Sequence, residues 1–222
     1  MVAANFDRYP ELAGVEDNNI LEEITKLTSK KLPITVVARN IEFEDYWQEK
    51  CNSLEGKNIK REQHGNSYKQ AFIETHIQEL LENYKSEGQT EEVKKELEAA
   101  KYEVFSLVIT QLTANFNIEH VFKYLPNLMN LTLTYGAKHI GMEYERPLFG
   151  MKMSDANNFK NCLRTTTSLC YLSLPGNLID DDLVSILIKG LMLNKTITQI
   201  DLSHNKIGHS GARKISKYLL QS

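Results

Sequence analysis

Between Leu169 and Leu219 the apolar positions fall twice into one register. Leu169, Leu172, Leu174, Asn177 and Ile179 are matched, each 28 residues later, by Ile197, Ile200, Leu202, Asn205 and Ile207. The match runs on through Val184, Leu187 and Leu191 to Ala212, Ile215 and Leu219, and one period earlier to Ala156, Phe159 and Leu163. In the first half of each unit Leu172/Leu174 and Ile200/Leu202 alternate with Tyr171/Ser173 and Gln199/Asp201, the period of a short strand with one face in the core. In the second half the spacing i, i+3, i+7 predicts a helix with one apolar stripe. Asp180-Asp181-Asp182 supplies carboxylates suited to a helix N-terminus, and the next helix begins near His209-Ser210-Gly211. Asn177 and Asn205 stand at the strand exits, where an amide side chain can satisfy backbone groups of the turn.

A strand and a helix in every 28 residues resembles the ribonuclease-inhibitor type of leucine-rich repeat. The expected fold class is therefore α/β: a short leucine-rich-repeat solenoid with 28-residue repeats, preceded by a small helical N-terminal region. Two less regular units come first. Leu128, Leu131 and Leu133 keep the strand pattern, but 41 residues separate Leu128 from Leu169, and the excess falls in Tyr135–Met153. Val104, Leu107 and Ile109 form an irregular first unit without the asparagine. The last residue stands three short of where the register would bring another leucine. A continuing chain or a partner is therefore expected over the end formed by Leu219 and Leu220.

Upstream, residues 1–19 read as a flexible arm, 20–86 as a helical N-terminal domain, 87–100 as a linker helix and 101–222 as the repeat domain. Ile20, Ile24 and Leu27 share a helical face within Asn19–Thr28, which Leu32-Pro33 ends; Ile34–Val37 is a short apolar turn or strand. Phe43, Tyr46, Trp47 and Lys50 have helical spacing. Ser67-Tyr68-Lys69-Gln70 is a capping-box pattern opening a helix with Phe72, Ile73, His76, Leu80, Leu81 and Tyr84 near one face. Ser86–Gln89 links it to a charged helix over Glu91–Lys101.

Composition narrows the function classes. A formal charge of −3 over 222 residues leaves no basic footprint for nucleic acid, the densest basic run being Lys57–Arg61. No apolar run reaches the length of a membrane span, and the N-terminus carries no secretory pattern. Three cysteines, Cys51, Cys162 and Cys170, are odd in number and fit free thiols in a reducing, cytoplasmic compartment.

Candidate chemistry is sparse. Phosphate-binding, dinucleotide, zinc-protease and serine-hydrolase motifs are missing from the sequence. Cys51 with His64 as nucleophile and base lacks an orienting acid, and Asp180–Asp182 lacks the alternating ligands of a calcium loop. His204, beside Asn205, reads as a turn residue. The expectation is a protein that is not an enzyme and takes no cofactor, metal or small-molecule substrate. Its protein-binding residues would be the outward side chains of the strands: Asn130, Thr132, Thr134, Tyr171, Ser173, Gln199, Asp201 and Ser203, with Tyr171 as anchor. Tyr135, Tyr144 and Phe149 in the insertion are a second candidate contact, or they fold back on the solenoid.

Particular stretches carry a family resemblance. LPNLMNLTLTYGAKHIGMEYERPLF and LIDDDLVSILIKGLMLNKTITQIDLSHNKIGHSGARKISKYL, with FEDYWQEKC and HGNSYKQAFIETHIQELLE before them, resemble the leucine-rich-repeat subunit of the axonemal dynein regulatory complex. This is the T-complex-associated testis-expressed protein family. The resemblance implies a non-catalytic scaffold of the nexin link between outer doublet microtubules in motile cilia and flagella. Its partners would be other regulatory-complex subunits in a large axonemal assembly, with no catalytic residues to carry over. Two other readings compete: an F-box-like adaptor of a ubiquitin ligase, suggested by Lys31–Ile34 ahead of helices, and a small-GTPase activator, for which Arg164 and Arg213 are the arginines in the regular units.

Overall fold

The computed structural model describes residues 31–54, 56, 59–85, 87–113, 116–137 and 148–220. The Asn19–Thr28 helix and Tyr144 lie outside them.

Ile34–Val37, expected as a turn or strand, is one turn of helix (α1), started by Pro33 and burying Ile34 and Val37. Glu44–Asn52 (α2) follows. Trp47, fully buried, lies edge-on to Tyr46 with ring centroids 5.4 Å apart and tilted against Phe72 at 5.8 Å. Its indole N–H donates to the Ile41 carbonyl at 2.9 Å, which satisfies the one polar atom this ring takes into the core. Tyr68–Glu82 (α3) begins at Ser67, whose hydroxyl accepts from the Gln70 N–H at 3.2 Å. The Glu44 carboxylate completes that cap by accepting from the Tyr68 N–H at 2.6 Å and the Ser67 hydroxyl at 2.7 Å. The side chain of Gln70 does not return to Ser67; it donates to Glu74. Thr90–Ala99 (α4) buries Val93 and Leu97 beneath a charged outer face.

From Ser106 strands and helices alternate: β1 (Ser106–Leu112), α5 (Glu119–Tyr124), β2 (Asn130–Tyr135), α6 (Met153–Thr165), β3 (Tyr171–Ser173), α7 (Asp181–Leu191), β4 (Gln199–Asp201) and α8 (His209–Leu219). The strands form one parallel sheet in the order β1-β2-β3-β4, in which Ser106, Asn130, Tyr171 and Gln199 share a row. Parallel neighbours require a crossover, and α5, α6 and α7 each lie in one. Gly190 lets α7 settle against α6, since a Cβ there would lie 2.7 Å from the Lys160 carbonyl oxygen. Asp180 caps α7, its carboxylate accepting from the N–H groups of Asp182 and Leu183 at 3.1 and 3.0 Å. The aspartate run therefore serves a helix terminus.

Two carboxylates of α3 reach β1, the outer strand. Glu74, only 2% exposed, accepts from the N–H groups of Phe105 and Ser106, both at 2.8 Å. Glu82 accepts from the N–H and hydroxyl of Thr110, both at 2.7 Å. An outer strand presents unpaired backbone donors, and here carboxyl groups eight residues apart on one helix take two of them and the Phe105 N–H just ahead of the strand. One hydrophobic cluster consequently runs from Ile34 through Leu191, joining the N-terminal helices to the sheet.

The expected leucine-rich-repeat solenoid is corrected by this architecture. The described residues form a mixed fold of helices and a single small parallel sheet of four strands. The residues sharing its first row are 24, 41 and 28 residues apart, so only the last interval has the expected period. The first strand is closed by α3, from outside the supposed repeats, and not by a unit like its neighbours. A register seen clearly in two units defined those two units and did not extend to an array.

Candidate functional site

Two surfaces stand out, and the first is the outer face of the sheet. Side chains alternate along β2, with Leu131, Leu133 and Tyr135 buried and Asn130, Thr132 and Thr134 turned outward. Asn130 aligns with Tyr171 and Gln199, and Thr132 with Ser173 and Asp201. Asn130, Gln199 and Ser203 are exposed, whereas Thr132, Tyr171 and Asp201 are half-buried. Ser173 is buried: its hydroxyl donates to Asp201 at 2.9 Å, so it braces a neighbour and offers little contact area. Thr134 donates to the Pro175 carbonyl at 3.2 Å. The Asp201 carboxyl is held below its ordinary range by the Ser203 N–H, then by the Ser203 and Ser173 hydroxyls. At neutral pH the face is polar with one fixed negative charge near its β4 edge.

The insertion residues part company. Tyr135 is the last residue of β2 and is buried, its phenol pushed well up by that burial and, secondarily, by the charge of Asp155. Phe149 packs near Gly136, where a Cβ would come within 3.3 Å of its ring. Both turn toward the protein itself.

The second surface belongs to β4 and α8. The stripe buried in α7, with Val184, Leu187 and Leu191 at 5% exposure or less, has Ala212, Ile215 and Leu219 as its counterpart in α8. There Ala212 is exposed, Ile215 half-buried and Leu219 62% exposed, with Leu220 at 84%. Beneath them a cavity of about 650 Å3 opens between the last two strand–helix pairs, lined by Leu172, Leu187, Leu191, Ile200, Leu202 and Ile215 among others. Against α7, α8 is held differently. The Gly208 N–H donates to the Asp181 carboxylate at 2.7 Å, and Lys214 donates to the Ser185 hydroxyl.

The residues weighed for chemistry are engaged elsewhere. The Cys51 thiol donates to the Tyr68 carbonyl at 3.5 Å and is pushed up to about 11 by burial, with the Glu44 charge adding to the effect. His64 meets Glu74 through Nδ1 at 2.5 Å. Arg164 and Arg213 are exposed on α6 and α8, away from the sheet face, and Arg213 contacts His209 at 3.2 Å. Among the described residues no cluster of His, Cys, Asp or Glu is arranged to hold a metal. No helix among them is long and apolar enough to cross a membrane.

Glu74 and Glu82 escaped sequence reasoning. The one available signal was a glutamate set directly after Phe72 and Ile73 within an apolar face, where a carboxylate must find donors.

The chain is homologous to dynein regulatory complex subunit 5, in agreement with the resemblance read from the sequence. It is 35% identical to the Chlamydomonas reinhardtii protein of that name over 83% of its own length and 47% of the relative's. Against the mouse and human proteins of the same name identity is 27% and 25%, over 97% of this chain and just under half of each relative. The chain thus spans about half the length of the curated relatives it matches. No family model matches it.

Proposed function

We propose that this chain is a non-catalytic subunit of a dynein regulatory complex in the axoneme of motile cilia or flagella. It holds together part of the nexin link between outer doublet microtubules and passes control to the dynein motors. The observation that carries this reading is the similarity to dynein regulatory complex subunit 5 along almost the whole chain, from three mammals to a green alga. The structure is in keeping with it, because its accessible features are surfaces. The partners are other subunits of that complex, and the row Asn130, Tyr171, Gln199 is one contact, with Tyr171 as its apolar anchor. No cofactor is needed for such a role.

Affinity purification of the tagged chain from isolated axonemes tests this. Regulatory-complex subunits are expected in stoichiometric amounts. Recovery with cullin-type ligase components, or with a small GTPase whose hydrolysis the chain accelerates, would overturn it. Tyr171→Ala is expected to weaken recovery of at least one subunit while leaving the thermal midpoint of the purified chain unchanged.

A further inference from the structure

The loops that lead from helices into strands lie along one edge of the sheet, because all four strands run the same way. Each loop holds the next. The Asn127 amide donates to the Tyr102 carbonyl at 3.2 Å, the Ser168 hydroxyl to the Leu128 carbonyl at 3.0 Å, and the Asn194 amide to the Leu163 and Thr166 carbonyls at 2.9 and 3.2 Å. The N–H groups of Met129, Cys170 and Thr198 donate in turn to the Phe105, Met129 and Cys170 carbonyls at 2.8, 2.8 and 2.9 Å. This edge is therefore fixed before any partner arrives. It carries Tyr102, Met129, Met192 and Leu193, between 44% and 63% exposed, which are four of the nine large apolar side chains exposed among the described residues.

Charge is divided between the two edges. From 116 to 220 the described carboxylates are Glu119, Asp155, Asp180, Asp181, Asp182 and Asp201, all where a strand ends or a helix begins. Glu119, one turn before Lys123, is held by the Asn117 amide at 3.2 Å. Cations of the same stretch are spread wider: Lys152 and Lys206 stand near helix starts, and Lys160, Arg213 and Lys214 along helices. The loop edge takes Lys123, Arg164 and Lys189 in the last turns of α5, α6 and α7, and Lys195 beyond α7; Lys217 repeats the placement in α8. Lys101, at the same edge, is shared with Glu98 at 3.6 Å, and Glu103 is held by the buried Lys69 at 3.1 Å. Among the described residues Lys123, Arg164 and Lys195, all exposed, have no carboxylate within ion-pair distance. A cation in the last turn complements the helix dipole, but the exposed tyrosine, methionines and leucine of these loops do nothing for it.

We propose that this loop edge docks an acidic amphipathic helix of another polypeptide. The inference rests on the reading of the chain as an assembly subunit and adds the chemistry of one partner. The strand entries span about 14 Å at the usual strand spacing, close to three turns of a helix. Aliphatic side chains spaced i, i+3/i+4, i+7 on that helix rest on Tyr102, Met129, Met192 and Leu193. The loop carbonyls and N–H groups already paired with one another leave little ladder for an added strand, whereas a helix satisfies its own backbone. The unpaired cations select the charge: glutamates and aspartates flanking the aliphatic row meet Lys123, Arg164 and Lys195. A second copy placed edge to edge would bring the same cations together.

Zero-length carbodiimide coupling, which joins a lysine amine directly to a carboxylate in contact with it, tests this in permeabilised ciliated cells expressing the tagged chain. The Lys94–Glu91 pair, 2.7 Å apart, is the internal standard. Lys123 and Lys195 are expected to couple to carboxylates of a different polypeptide, within one segment of helical apolar spacing. The Met129→Ser/Met192→Ser/Leu193→Ser variant keeps every lysine and should lose that product about tenfold while retaining the standard. Coupling confined to this chain, to a second copy or to the standard overturns the proposal, as does a product that the variant leaves unchanged. A partner foreign to the regulatory complex, coupled in the same way and lost in the same variant, overturns the functional reading and supports this one.

Discussion

The side-chain amide of Asn177 donates to the Leu133 carbonyl at 2.7 Å across 44 residues, and Asn205 donates to the Leu174 carbonyl at 2.8 Å across 31. Leu133 and Leu174 hold equivalent places, two residues beyond the paired Leu131 and Leu172. The two asparagines therefore do one job, and the difference of thirteen residues is the length of the insertion after β2. Asn177 is fully buried and also accepts from the Tyr135 N–H at 2.7 Å. Asn177→Ala strands a donor and an acceptor away from water and should cost about 3 kcal/mol. Asn205→Ala, at a half-buried site, should cost about 1 kcal/mol. Urea unfolding of both variants checks the order; equal losses would contradict it.

Glu74 ties α3 to the start of the sheet. Glu74→Ala leaves the Phe105 and Ser106 N–H groups without their acceptor and should destabilise by about 3 kcal/mol. Native-state hydrogen exchange should show those two amides losing protection ahead of Leu131 and Leu133. Unchanged protection would mean that the helix, and not its carboxylate, shields the strand.

Gly190→Ala drives a methyl group to 2.7 Å from the Lys160 carbonyl oxygen and 3.1 Å from the Leu163 Cβ. Backbone cannot yield as a side-chain tip can, so α6 and α7 must separate, at a cost of about 1–3 kcal/mol. A thermal midpoint within a degree of the parent would contradict such close packing.

Burial pushes the Cys162 thiol up to about 12, with Glu119 adding, and the Cys51 thiol up to about 11. Unfolded thiols ionise from about pH 8.5, while these two keep their protons in the fold. Their contribution is thus complete below that pH and is lost as pH rises toward 11 and 12. The urea midpoint should fall between pH 8 and pH 10, and Cys51→Ala/Cys162→Ala should flatten that fall. Native alkylation should mark the half-buried Cys170 first; equal rates at all three would contradict the burial.

The local elements after Lys152 were legible in the sequence because each strand and helix buries one face: Val184, Leu187 and Leu191 appear as a stripe in one dimension before they pack in three. The Ser67 cap and the half-exposed Tyr171 were legible for the same local reason. The architecture was not. A 28-residue register between two units carries no information about β1, which is completed by α3 through contacts 31 and 32 residues apart in the chain. Ser173 shows that alternation gives a side chain's direction but not what covers it: it lies on the outward parity yet is buried against Asp201.

Tagging the chain in a motile-ciliated cell and locating the tag by subtomogram averaging of its axonemes tests the central claim most directly. The predicted result is tag density at the regulatory complex, on the link between neighbouring doublets, repeating along the axoneme with that complex. A tag found off the axoneme, or on the axoneme away from that link, would contradict it.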